Sequence, residues 1–352
     1  MVRLPADPDH AEPSADRARG GIEAFARRFA DGDLIACAAL DPGLERFETS
    51  FGAWAFRRVG GVHAALGGPL CHPSDRAVML ERFLRVARRP MIFYLREPMA
   101  RLCADAGLRT AGIGQDRTLD VAALLDAPPK EVRGALRHAD KLGFSIEEAR
   151  FGDDTRPRLE AISAAYLAGA EITKEVTFLN RPLRHEEDGV RRLFLLKQGE
   201  HTFGFAVLDA IWRDGRVEAW LLDLLRLEPT KQWGVWLSTV HGLASCLRAE
   251  GTGLAVGFAP LHGVVHPPGA SRALAWQLDA MERRLSNARY LRRLYELKAM
   301  LPGSWEPRSV ASHTRFAPRI LQVFTEASEV GFSYLFGPDL LRVIWRGMTG
   351  PG

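Results

Sequence analysis

The chain has 352 residues, 47% of them hydrophobic and 26% charged, an ordinary globular composition with enough apolar side chains for a sizeable core. The length suggests roughly two domains of about 150 residues each. A formal charge of +4 is small, so a polyanion would be steered by clustered arginines rather than by the total. No run approaches the ~20 apolar residues of a membrane span. Cys37, Cys71, Cys103 and Cys246 are far apart, with no C-x-x-C pair and no zinc-site spacing, which argues for reduced thiols and against a disulfide framework.

Residues 1–20 are rich in Asp, Pro, Ala and Arg and contain no apolar stretch, so a disordered lead-in is expected rather than a secretory signal. Ile22–Phe29 reads as a short basic helix. Asp33–Cys37 and Glu45–Val59 read as strands, the second with alternating apolar residues, and His63–Leu66 as a third. Ser74–Arg88 has the pattern of an amphipathic helix with Ser74 as N-cap. Met91–Leu95 is an apolar strand, Pro98–Asp105 a helix closed by Gly107, and Ala111–Val121 another strand. Lys130–Leu142 is a helix closed by Gly143. It carries Arg133, Arg137 and Lys141 at four-residue spacing on one face. That face is either a solvated surface or a ridge for phosphate contact.

A similar order recurs. Arg156–Leu167 reads as a helix, followed by strands over Leu193–Lys197, Phe203–Trp212 and Val217–Arg226, a helix over Gln232–Glu250 and a strand over Leu254–Phe258. The expected fold class is therefore α/β (α+β), with mixed central sheets flanked by helices and two related halves. The division expected is 21–150, 151–310 and a helical tail over 311–352. An Arg-rich helix is expected over Leu278–Met300, broken at Pro302-Gly303. The aromatic-rich stretch Arg315–Met348 suits either packing on the body or lying on a membrane surface.

Val217–Gly263 organises the chain. Asp223 and Arg226 lie within an apolar strand, where charges are costly unless paired or used. The turn after that strand, Glu228–Gly234, has one glycine and a proline. It lacks the glycine-rich loop that would hold a CoA pyrophosphate on backbone N–H groups.

Several spaced segments share one resemblance. They are Gly67-Gly68-Pro69-Leu70, Phe93-Tyr94, Ile113-Gly114-Gln115-Asp116, Arg133…Gly143, Thr177-Phe178-Leu179-Asn180, Asp223-Leu224-Leu225-Arg226…Pro229…Gly234, Gly257-Phe258-Ala259-Pro260-Leu261 and Lys298…Trp305-Glu306-Pro307-Arg308. Together they resemble the C-terminal catalytic domain of the lysyl-phosphatidylglycerol synthase (multiple peptide resistance factor) family, in which two acyltransferase folds of the GCN5-related N-acetyltransferase type sit in tandem. Gln115, Asn180 and Trp233 depart from the family's pattern. Its membrane-spanning flippase region has no counterpart in this sequence, so a soluble or peripheral transferase domain is expected, cytoplasmic and in contact with the inner face of the membrane through its tail.

The resemblance implies an aminoacyl-tRNA donor and a hydroxyl acceptor such as phosphatidylglycerol. An aminoacyl ester is already activated, so no cofactor is expected. Asp223 is the expected base or acceptor-positioning group, and Arg226 the holder of a phosphate or oxyanion. Thr177, Asn180 and Gly257 are expected beside the substrates. Lys298 and Arg308 would bind a tRNA terminus or a headgroup phosphate, and Glu306 the α-ammonium of the aminoacyl group. Arg133, Arg137 and Lys141 would contact tRNA. His262 and His266 lack a third ligand, so no metal is expected. Transfer to a soluble small acceptor, or a non-catalytic binding role on the same fold, are the alternatives.

Overall fold

The structure, a computed structural model, describes residues 21–169, 175–229, 234–285 and 289–329. The lead-in expected over 1–20, the tail beyond 329, and positions 230–233 of the glycine-poor turn lie outside the described residues.

The first half opens with α1 (Ile22–Phe29), the hairpin β1 (Glu45–Thr49) and β2 (Gly52–Val59), then β3 (Val62–Leu66) and the short β4 (Leu70–Cys71). It continues through α2 (Arg76–Val86), β5 (Met91–Leu95), α3 (Glu97–Asp105) and β6 (Arg109–Leu119). Three expectations need correction here. Residues 33–37 are turns rather than a strand: Ala36 N–H donates to Asp33 C=O and Ala39 N–H to Ile35 C=O, closing the backbone locally. Leu34, Ile35, Ala36 and Cys37 are all buried, and such a short unalternating run does not distinguish strand from turn. The strand expected over 45–59 is two strands folded about Ser50 and Phe51. Ser74 caps nothing; it sits in a 3-10 turn, Pro73–Asp75, and Asp75 precedes the first residue of α2.

The second half has α4 (Val121–Asp126), α5 (Lys130–Lys141), β7 (Phe144–Ala149), α6 (Arg156–Gly169), β8 (Arg191–Gln198), β9 (His201–Arg213), β10 (Arg216–Leu227), α7 (Val235–Ala249) and β11 (Gly253–Pro260). The α-β-β-β-α-β order expected over this stretch is thus observed as α6-β8-β9-β10-α7-β11. The helix expected over 278–300 is covered by α8 (Arg272–Leu285) and α9 (Arg289–Ala299), with 286–288 outside the described residues. β12 (Gly303–Ser312) and α10 (Ala317–Ala327) follow.

All the long strands join one mixed sheet in the order β1-β2-β3-β5-β12-β6-β11-β10-β9-β8-β7, with β4 paired to β2. Every residue of β5 is buried, as are ten consecutive residues of β9, Phe203 to Trp212. These strands are covered on both faces, which is why they read as unbroken apolar runs. β10 and β11 are parallel but paired only from Ala219–Leu221 to Gly253–Ala255. Beyond that point bulges at Leu222/Leu224 and Ala255/Gly257 carry the strands apart.

Packing departs from chain order. α4 and α5 lie on α7, and β7 joins β8, so residues 121–149 go with the later strands. β12, one of the last elements, lies between β5 and β6. α7 starts immediately after Gly234, whose φ is +82° and whose Cβ, if it had one, would fall 2.7 Å from Ala135 Cβ. Glycine there lets α7 begin hard against α5.

Candidate active site

Two buried charge clusters carry the polar chemistry. The first is centred on Arg308 of β12, which is wholly buried. Its Nε donates to Asp116 Oδ2 of β6 at 2.5 Å, its Nη2 to Glu306 Oε2 at 3.0 Å, and its Nη1 lies 3.2 Å from Asp33 Oδ1. The guanidinium stacks 4.8 Å from the Tyr94 ring centroid, and the Tyr94 hydroxyl donates to Asp116 Oδ1. Burial opposes the Arg308 charge, but Asp116, Asp33, Tyr94 and Glu306 outweigh it and raise its pKa. Burial raises the pKa of Asp116, while Arg308 and the Tyr94 hydroxyl pull it down. A planar donor fork meeting three carboxylates is the arrangement in which a buried guanidinium is tolerated. Lys298, on α9, donates to the Phe258 carbonyl at 2.6 Å; burial pushes its ammonium down to about 7, partly offset by Asp116.

Beside this cluster lies a cavity of about 440 Å³. Its charged lining is Asp31, Asp33, Glu97, Glu306, Arg76 and Arg96, set among apolar residues that include Leu66, Leu70 and Met99. Arg96 Nε donates to Glu306 Oε1 at 2.6 Å, so Glu306 is held by two arginines while its side chain keeps 40% exposure. His266 lies on the rim. Its Nδ1 accepts the Gly112 N–H at 3.0 Å, so the proton is on Nε2, which donates to Asp279 Oδ1 at 2.8 Å. The ring braces the loop against the sheet and against Asp279 of α8.

The second cluster surrounds Asp223, which sits in the β10 bulge opposite β9. Both its oxygens are taken: Oδ1 by Asn180 Nδ2 at 2.8 Å, Oδ2 by the Arg181 N–H at 3.3 Å and by Arg191 Nη2. Arg191 Nε also donates to Asp209 Oδ1 at 2.6 Å, and Arg181 reaches Asp188, Cys37 and Asp209. Burial, together with the Asp209 charge, pushes Asp223 up to about 7 against the pull of Arg191 and Asn180. Every neighbour within hydrogen-bonding reach is a donor, which suits the carboxylate. Burial alone sends the Cys37 thiol well up, with Asp209 adding to it.

Arg226 does not pair with Asp223. It makes a two-point contact with Glu175, with Nη1 2.7 Å from Oε1, and also donates to Ser163 of α6. Asp223 and Arg226 are thus parts of separate networks, and neither lines the cavity. Their side chains are 1% and 5% exposed, so neither is open to a substrate.

The remaining expected residues are distributed as follows. Thr177 is buried; its Oγ accepts from Arg57 at 2.9 Å and donates to Glu329 at 3.0 Å, tying the segment to the end of α10. Asn180 orients Asp223. Gly257 lies in the β11 bulge with φ +69°, and a Cβ there would meet Leu221 at 3.0 Å. Glu306 faces the cavity, whereas Lys298 and Arg308 are buried behind it and touch no open surface, contrary to the phosphate contact expected of them. Arg133, Arg137 and Lys141 are all exposed on α5, opposite its buried face of Val132, Ala135 and Ala139. His262 stacks on Tyr295, Tyr295 on Trp305, and Trp305 beneath the Arg117 guanidinium, which makes a four-layer brace between β6, α9 and β12.

Asp33, Arg76, Arg96, Arg191, Asp209 and Glu175 were not anticipated. Asp209 had a signal: it is a carboxylate inside the apolar run Phe203–Trp212, and the desolvation cost that flags Asp223 flags it equally. The Arg308–Asp116 pair spans 192 positions and had none.

The profile of the family described as phosphatidylglycerol lysyltransferase, C-terminal, matches residues 29–312. The chain belongs to this family. Its members are transferases, named for aminoacyl transfer to phosphatidylglycerol. Among solved structures it resembles L-PGS from Bacillus licheniformis, at 15% identity and a TM-score of 0.70 over 88% of this chain and 96% of that one. It also resembles the C-terminal domain of a chain described as a lysylphosphatidylglycerol synthetase from Agrobacterium fabrum, at 19% identity and 0.68 over 86% and 95%. A conserved protein from Bacteroides thetaiotaomicron aligns at 11% identity and 0.55 over 83% and 95%. These likenesses are of fold. No curated protein sequence matches the chain. Among the described residues no helix of this family member is long and apolar enough to cross a membrane.

Proposed function

We propose that the chain moves an aminoacyl group from aminoacyl-tRNA to a hydroxyl of phosphatidylglycerol, working in the cytoplasm at the inner membrane face. The observation that carries this reading is the cavity at the Arg308 cluster. Its wall presents two carboxylates, Asp33 and Glu306, both held by a guanidinium with no exposure of its own. A fixed carboxylate that is also exposed is suited to an α-ammonium, and Glu306 takes that role. Arg76 and Arg96, on the same wall, are the cations open to the phosphodiester of the acceptor.

The step is transacylation. The acceptor oxygen bonds to the ester carbonyl carbon, the tRNA 3′-oxygen leaves, and the acceptor proton passes to the leaving oxygen. Asp33, at the cavity wall, stands where it can relay that proton. The ester bond broken matches the one formed, so no nucleotide cofactor is needed. Asp223 and Arg226 act away from the cavity lining. They hold β8, β9, β10, α6 and the 175–181 segment in register, and loss of either is expected to lower transfer through geometry. The exposed ridge Arg133–Arg137–Lys141 contacts the tRNA backbone.

The test is incubation of the purified chain with a pool of charged tRNAs and phosphatidylglycerol vesicles, followed by mass spectrometry of the lipids. Aminoacylated phosphatidylglycerol is expected. Glu306→Gln should lower kcat/KM by about 10–100-fold, the worth of one charge-assisted contact. Aminoacylation of a soluble additive with no lipid product would replace the acceptor assigned here. No product from any charged tRNA would favour a binding role.

A further inference from the structure

One end of the sheet carries a surface that none of the chemistry above uses. Met91 of β5, Ser312 of β12 and Arg109 of β6 are register neighbours across three adjacent strands. The residues just beyond them therefore cluster: Arg88 and Arg89 before β5, Arg109 itself, and Arg315 and Phe316 after β12. His313 N–H donates to the Pro90 carbonyl, closing this edge. Ser271 N–H donates to the Thr110 carbonyl, which brings the start of α8 and Arg272 to the same place. The Gln277 amide then clasps the 315–317 backbone, donating to Arg315 O at 2.8 Å and accepting from Ala317 N at 3.0 Å. That clasp ties the turn of α8 that carries Trp276 to the segment that carries Phe316. Trp276 and Phe316 are two of the most exposed large apolar side chains described, at 67% and 57%.

Aromatic side chains left in water within a ring of guanidinium groups have a chemical meaning. Among the described residues Arg88, Arg89, Arg109, Arg272 and Arg315 form no side-chain ion pair. Five cations around Trp and Phe complement an anionic surface with an apolar interior, since Trp sits at the headgroup boundary and each Arg gains from the surface potential. The loop 265–268 that forms part of the cavity lining runs directly into this patch, and its Val265 is itself 52% exposed.

We propose that this end of the sheet docks on an anionic phospholipid bilayer, with Trp276 and Phe316 entering the headgroup layer. The inference rests on the lipid-acceptor reading for its biological sense, but its test is separate. The full-length chain is sedimented with vesicles of phosphatidylglycerol and phosphatidylcholine, and with phosphatidylcholine alone. Binding is expected only to the former and should weaken with salt. Trp276→Ser with Phe316→Ser should lower the partition coefficient by about tenfold or more, as should Arg272→Ala with Arg315→Ala. Arg133→Ala with Arg137→Ala on α5 should leave it unchanged. Circular dichroism and the unfolding midpoint of each variant confirm that it is folded. Equal partition of wild type and the folded aromatic variant would overturn the proposal. So would loss of charged-tRNA binding rather than vesicle binding in the Arg272/Arg315 variant, which would make RNA the occupant. Transfer to a short-chain, monomeric phosphatidylglycerol should survive the aromatic substitutions. Failure of that assay in the wild type counts against the transferase reading and leaves the vesicle result standing.

Discussion

Arg308 shows how the site handles charge. A guanidinium with no solvent contact is tolerated because three carboxylates and an aromatic face surround it. Arg308→Ala would leave the buried Asp116 without its cation, and a loss of about 3–5 kcal/mol in urea unfolding is expected. Asp223 and Asp209 share Arg191, so Asp223→Asn and Asp209→Asn should each destabilise. The double variant should lose less than the sum, and an additive result would show that the two carboxylates are not coupled. Lys298 gives a pH signature. Its folded pKa of about 7 lies below the unfolded value of 10.5, so between these pH values the unfolded chain binds more protons. The cost of its buried charge is fully present below pH 7 and is relieved as pH rises towards 10.5. Stability of the wild type relative to Lys298→Met should therefore climb across that window in urea titrations. A flat difference would mean that the amine is solvated.

At the scale of elements, α5 is the clearest separable part. Its buried face is small and apolar and its outer face holds Arg133, Arg137 and Lys141. Replacing Arg133 and Arg137 by Ala should weaken tRNA binding and reduce the slope of log K against log salt by about 1.4–1.8, two contacts' worth. An unchanged slope would remove this face from the tRNA footprint. The helices and long strands were largely legible because their apolar periodicity is long and their ends carry Gly or Pro. The 33–37 turns were not: four buried residues without alternation carry no period, and their partners, Arg308 and Arg181, come from far along the chain. The same limit hid the site. Asp223 was visible as a charge in a strand, yet a strand sequence does not say that a bulge will turn it towards Arg191 and leave it out of the cavity lining. Glu306 was found through a local motif, and Arg76 and Arg96 were missed because surface arginines near helix starts look alike until a cavity wall forms around them.

At the scale of the whole molecule, the sheet is continuous across both halves and its centre is supplied by the chain's late segment. β12 pairs with both β5 and β6, and its start fits under β6 only because Gly303 has no Cβ, which would fall 2.1 Å from the Thr118 carbonyl oxygen. A chain ending at Met300 would expose two long unpaired edges and bury Asp116 without Arg308. Such a chain is expected to lack a cooperative unfolding transition and to aggregate, as measured by calorimetry and light scattering.

The placement of β12 also bears on how the protein is made. While the chain is still on the ribosome, β5 and β6 are synthesised some two hundred residues before the strand that separates them in the sheet. Their mutual pairing is the obvious wrong turn available in that interval, and it must be avoided or undone before Arg308 can reach Asp116. Contacts of such sequence separation fold slowly. Completion of the cavity wall therefore waits for the synthesis of residues 303–312, and until then the sheet stands open between β5 and β6.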